Sequence, residues 1–193
     1  MYFSSTVLLS TIILLPSVSA FWRLGCKGNL VVDRLDPIVN PGAVSGHTHT
    51  IVGGNAFGSS LTYEQTQLST CSTCTIKQDL SNYWVPTLYY KGRDGTFQSV
   101  KQSGMVVYYL QRADSKDPEY SNGLLGFLKG FQMLAGDPFL RSYNDTPAQK
   151  AISYACIGSN SPETPYFPNI KCPGGLRTQV FFPSVCLLND LVQ

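Results

Sequence analysis

The chain is poor in charge. Only 13% of its 193 residues are Asp, Glu, Lys or Arg, and the formal net charge is +2. No block of Lys and Arg occurs, and no basic face recurs at helical spacing. Nucleic acid and anionic membrane surfaces are therefore not indicated as partners. Histidine is scarcer still, at two residues, so any site built on imidazole must use His47 and His49. No internal repeat and no interdomain linker is visible. After the first twenty residues no stretch is apolar enough to span a membrane, and the final residues lack a hydrophobic tail of the kind that signals a lipid anchor.

What is present instead is glycine, proline and aromatic residues: 17 Gly, 12 Pro and 12% Phe, Trp and Tyr. That balance predicts a loop-rich extracellular β protein. Residues 1–20 read as a signal peptide, with an apolar run from Val7 to Leu15, then Pro16, then the small residues Ser19 and Ala20. A signal anchor is the rival reading. Cleavage after Ala20 makes Phe21 the mature N-terminus and leaves 193 − 20 = 173 residues, enough for one domain with a sizeable core. The expected location is secreted, extracellular or in a cell wall.

All six cysteines, Cys26, Cys71, Cys74, Cys156, Cys172 and Cys186, follow residue 20. An even number in an oxidising compartment predicts a disulfide framework without free thiols, its pairing left open. Cys71 and Cys74 have C-x-x-C spacing. With no second such pair and no apolar helix after it, zinc and redox uses are not expected.

Runs of β-branched and aromatic residues predict strands over Leu30–Val32, Thr48–Val52, Tyr83–Tyr90, Met105–Gln111, Ile152–Cys156 and Gln179–Phe182. "NPG" at Asn40–Gly42 and "GRDG" at Gly92–Gly95 mark turns between them. Thr62 and Gln65 in "TYEQ" fit a capping box and predict one helix over Thr62–Leu68. Leu124–Gly136 is ambiguous, and its three glycines favour strand and turn. The expected architecture is mainly β, an antiparallel sandwich or jelly roll tied by disulfides. Asn144-Asp145-Thr146 is a glycosylation sequon.

The successive motifs "NPG…SGHTHTIVGGNAF", "STCSTC", "DLSNYWVPTLYY", "GFQMLAG" and "CPGG…FFPS" resemble a family of secreted fungal domains of unknown function, from about Asp36 to Ser184. Members often sit beside WSC modules, which bind carbohydrate. The resemblance implies an extracellular fungal protein associated with cell walls, and brings no reaction with it. Family members usually read Cys-Trp-Asp after the last motif and continue, whereas here "VCLLNDLVQ" follows Ser184. Residues 21–184 are thus expected to form the domain and 185–193 a divergent tail, as in a chain truncated at its C-terminus.

Three readings of the histidines compete. If Thr48–Val52 is a strand, His47 and His49 lie on one face about 7 Å apart, the H-x-H geometry of several metal sites. No third histidine completes such a site, so neither metal nor cofactor is expected. As a polysaccharide lyase or hydrolase, the chain would use His47 or His49 as base and a tyrosine or carboxylate as acid. Tyr89 and Arg93 are the candidates beside them, Arg93 to neutralise a uronate. Tyr83, Trp84, Tyr90 and Asn82 would then bind sugar rings, the aromatics as a stacking platform. The third reading makes the histidines polar ties between loops at a strand start. Together these predict a protein that binds cell-wall polysaccharide, with a carbohydrate-active enzyme as the alternative.

Overall fold

The computed structural model describes residues 21–111, 116 and 126–182, which fall into two compact units divided between Gly126 and Phe127. The expected signal peptide, the expected divergent tail and Cys186 lie outside the described residues. Among these residues, no helix is long and apolar enough to cross a membrane. Short antiparallel strands dominate, joined by long loops and two disulfides, as the composition predicts.

In the first unit, β1 (Trp22–Cys26) pairs with β7 (Met105–Tyr109) from Trp22 opposite Tyr109 to Cys26 opposite Met105. A three-stranded sheet has β3 (His49–Gly53) at its centre, flanked by β2 (Val31–Asp33) and β4 (Asn82–Pro86). The two sheets share a core. Leu24 and Cys26 of β1 pack with Val52 of β3 and with Cys74, and Met105, Val107 and Tyr83 close around them. Full burial of an aliphatic side chain such as Leu24 is worth about 1.5–3 kcal/mol. The Cys26–Cys74 disulfide lies within this cluster.

The run Tyr83–Tyr90, predicted as one strand, is two. Pro86 has no N–H to donate and ends β4 opposite His49. Thr87 then anchors the crossing, donating its N–H to the Thr48 carbonyl at 2.8 Å and sharing a 2.9 Å hydroxyl bond with Thr50. β5 (Tyr89–Lys91) turns back on β6 (Phe97–Ser99) through the predicted "GRDG" turn. There the Gly92 N–H donates to the Thr96 carbonyl, and Asp94 accepts from the Thr96 N–H and hydroxyl. α1 (Tyr63–Thr66) carries the expected capping box, in which Thr62 and Gln65 satisfy each other's backbone N–H.

The second unit is built on β8 (Ile152–Cys156) paired with β9 (Leu176–Val180), with the short α2 (Pro147–Lys150) ahead of them. Cys156–Cys172 ties its loop. Thr146, the sequon threonine, caps α2, and its hydroxyl donates to the exposed Asn144 side chain at 2.9 Å. Phe127–Gly136 forms neither strand nor helix, because Gly130 and Gly136 take positive φ (77° and 86°) and interrupt any ladder.

Among the described residues four cysteines pair and one does not, so the expected framework without free thiols is corrected. Cys71 is exposed and free, and the C-x-x-C half that pairs does so with Cys26, 48 residues away.

Candidate functional site

β3 begins at His49, so His47 stands just outside the ladder, yet the imidazoles still meet. Their ring centroids are 6.2 Å apart, edge to face. All five residues of β3 are buried, because the strand is central and covered on both sides. His49 shares a face with Ile51, and cross-strand pairing puts Trp84 and Pro86 on that face too. Trp84 packs against Phe57 at 5.7 Å.

The loop between β2 and β3 brings a carboxylate to His49. Asp36 is buried; its Oδ1 accepts the backbone N–H groups of Ile38 and Val39 at 3.1 and 2.9 Å. Its Oδ2 lies 3.8 Å from His49 Nε2. The same loop is pinned by Arg34, whose Nε donates to the Ser45 carbonyl at 2.7 Å, while the Ser45 N–H donates to the Arg34 carbonyl. Ser45 Oγ accepts the His47 N–H at 3.2 Å. His49 Nδ1 is buried with no hydrogen-bond partner.

Burial lowers the His49 pKa. It outweighs the Asp36 carboxylate and a hydrogen bond with the Leu35 backbone, both of which raise it, and the neighbouring His47 lowers it further. His49 is therefore held neutral below the pH at which a free histidine takes up a proton. Above about pH 6.5 this costs no stability, since the unfolded histidine is neutral as well. As pH falls from there toward the lowered folded value, the unfolded chain binds the proton first and the fold loses stability. The urea midpoint of the wild type should thus drop between pH 7 and pH 5 by more than that of a His49→Asn variant. Identical pH dependence in the two proteins would contradict this assignment.

Among the described residues no group of three His, Cys, Asp or Glu side chains is placed to hold a metal ion. What the arrangement offers is an Asp36–His49 contact with His47 beside it at the half-exposed edge. That is enough to orient an imidazole and fasten a loop. No hydrogen bond or ring contact joins Tyr89 or Arg93 to the histidines: Tyr89 lies on β5 and Arg93 is exposed in the turn that follows it.

The aromatic run does not form one platform. Alternation along β4 sends Tyr83 to the core and Trp84 to the opposite face. Tyr83 is engaged further, for its hydroxyl donates to Asp79 at 2.8 Å and bonds the hydroxyl of Tyr109. Burial, and then the Tyr109 bond, push the Tyr83 pKa up. Asn82 donates to the Gly54 carbonyl at 2.7 Å and holds the bend after β3. Tyr90 is the member of the run that stands well clear of the protein, with 62% of its surface exposed.

Sequence reasoning places Asp36 near the motif without linking it to His49. The signal was the Asp-Pro step, since an aspartate that accepts N–H groups two and three residues on forms a turn and can bring its second oxygen back toward β3.

Comparison with family models matches residues 36–190 to the family described as Domain of unknown function (DUF1996). The chain belongs to this family. No curated protein and no solved structure matches it. The match contains Asp36, both histidines and the Gly53-Gly54 bend, and it reaches past Ser184.

Proposed function

We propose that this member of the family is a secreted fungal protein that binds cell-wall polysaccharide, and that binding rather than catalysis is its activity. The observation that carries the reading is a set of aromatic rings standing in water on paired strands. Tyr90 and Phe97 rise from the β5–β6 hairpin and Tyr108 from β7; Phe21 lies beside Tyr108 at 6.3 Å. Each exposes more than half its surface. Exposed aromatic surface on a rigid support is the usual mark of a recognition surface, and the apolar face of a sugar ring is a fitting partner for it. The histidines favour binding over catalysis by their placement, because His49 is buried against Asp36 and His47.

The test is retention on insoluble fungal and plant wall polysaccharides, with analysis of the supernatant for cleaved products. Retention without products is expected, and Tyr90→Ala/Tyr108→Ala should weaken it at least fivefold without lowering the melting temperature. Soluble products abolished by His49→Ala would overturn the reading in favour of catalysis.

A further inference from the structure

The first unit contains an open groove of about 240 Å³ between the central sheet and the β5–β6 hairpin. Its floor is the hydroxyl pair of Thr50 and Thr87, in which Thr50 is fully buried. Val32 and Val100, both partly exposed, give it apolar walls. Asn29, Ser99, Lys101 and Gln102 complete the lining. Their side chains make no hydrogen bond or ion pair with other described residues. Two amides, a hydroxyl and an ammonium group thus converge on one groove with their bonding capacity unspent. Tyr89 is directly opposite Ser99 in the ladder and so shares its face, which sets an aromatic ring beside these groups.

The second unit has a cleft of similar size, about 220 Å³, and the contrast is informative. There the polar groups are already used. Glu163 accepts from Ser153, Arg177 and Gln179, and Asp145 takes both Lys150 and the Tyr143 hydroxyl. A ligand would have to displace those bonds, whereas in the first groove it would complete unmade ones.

We infer that the groove lined by Asn29, Thr87, Ser99, Lys101 and Gln102 is a saccharide subsite that takes one uronate residue of a polysaccharide chain. The inference rests on the glycan-binding reading and adds a place and a charge to it. A groove of this size is below the roughly 300–1,000 Å³ of pockets for drug-sized ligands, which suits a single sugar ring with the chain running out at either side. Hydroxyl groups of the sugar meet the amides and hydroxyls, and its C–H face meets the valines. Lys101 is the one charged residue in a lining that contains no carboxylate, so a carboxylate on the sugar is favoured over a hydroxymethyl group.

Titration calorimetry of the full chain with oligogalacturonate and with neutral cello-oligosaccharide tests this. Oligogalacturonate should bind at least fivefold more tightly at low salt, and the difference should shrink at high salt. Lys101→Gln should erase the preference, and Asn29→Ala/Gln102→Ala should weaken both ligands about tenfold. These side chains make no hydrogen bond or ion pair with other described residues, so the melting temperatures should not move. Wild-type affinity in these variants, with loss in Tyr90→Ala/Tyr108→Ala, would overturn the groove and leave the glycan reading standing. A neutral ligand that binds more tightly and is lost in Asn29→Ala/Gln102→Ala would overturn the uronate assignment. Absence of binding to either oligomer and to every wall polysaccharide would overturn both the groove and the reading beneath it.

Discussion

Replacing Cys26 and Cys74 together by alanine should destabilise the protein by about 4 kcal/mol, the chain-entropy value for a cross-link between residues 48 apart. Packing adds to that loss. Both cysteines are buried in the cluster with Leu24 and Val52, and removing their sulfur atoms leaves a gap where β1 meets β3. A domain of this size has only about 5–15 kcal/mol of net stability, so the guanidinium midpoint should fall by a large fraction of its value, and the yield of folded protein should fall with it. The Cys156→Ala/Cys172→Ala variant provides the scale. Its partners are 16 residues apart, Cys172 is only half-buried, and about 3 kcal/mol is expected. Should the Cys26/Cys74 variant unfold at the wild-type midpoint, the disulfide would not be the tie between the two sheets of the first unit.

That pairing shows where sequence reasoning stops. An even cysteine count behind an expected signal peptide argues for disulfides, and four cysteines form them, but pairing depends on which strands meet. β1, which brings Cys26 to Cys74, was missed altogether: "WRLGC" alternates Trp22, Leu24 and Cys26 with Arg23 and Gly25, but it is only five residues long and contains no β-branched residue to mark it as a strand. β6 was missed for a related reason, since "FQS" is too short to show a period. Strands with β-branched runs, such as β3 and β8, were legible to within a residue or two. The aromatic run of β4 and β5 was legible as strand and illegible as surface. Alternation separates Tyr83 from Trp84 in any strand, but only the position of β1 and β7 determines that Tyr83 is the one facing the core. Proximity of the two histidines was readable from their spacing, whereas the contact between Asp36 and His49 depends on how a loop of a dozen residues returns to its strand.

The Gly53→Ala substitution should be the most damaging single methyl group in the "SGHTHTIVGGNAF" segment. Gly53 closes β3 with φ at +112°, a conformation that costs a residue with a side chain about 1–3 kcal/mol. Space is the larger difficulty. A Cβ at Gly53 would lie 2.1 Å from the Ser81 carbonyl oxygen and 2.9 Å from Asn82 Cα, and backbone cannot swing aside as a flexible side chain can. Relief would require β4 to move away from β3, at the point where Gly54 donates to the Ser81 carbonyl and Asn82 donates to Gly54. It would also strain the bonds between Gly53 and Thr73, next to Cys74 in the core. A loss of more than about 3 kcal/mol is expected, seen as a collapse in the yield of folded protein and a large drop in melting temperature. Gly46→Ala is the matched control in the same motif, since a Cβ there meets nothing within 4 Å and its φ is ordinary; it should melt as the wild type does. If Gly53→Ala melts with it, then β4 does not press against the end of β3, and the double glycine must serve something other than close packing.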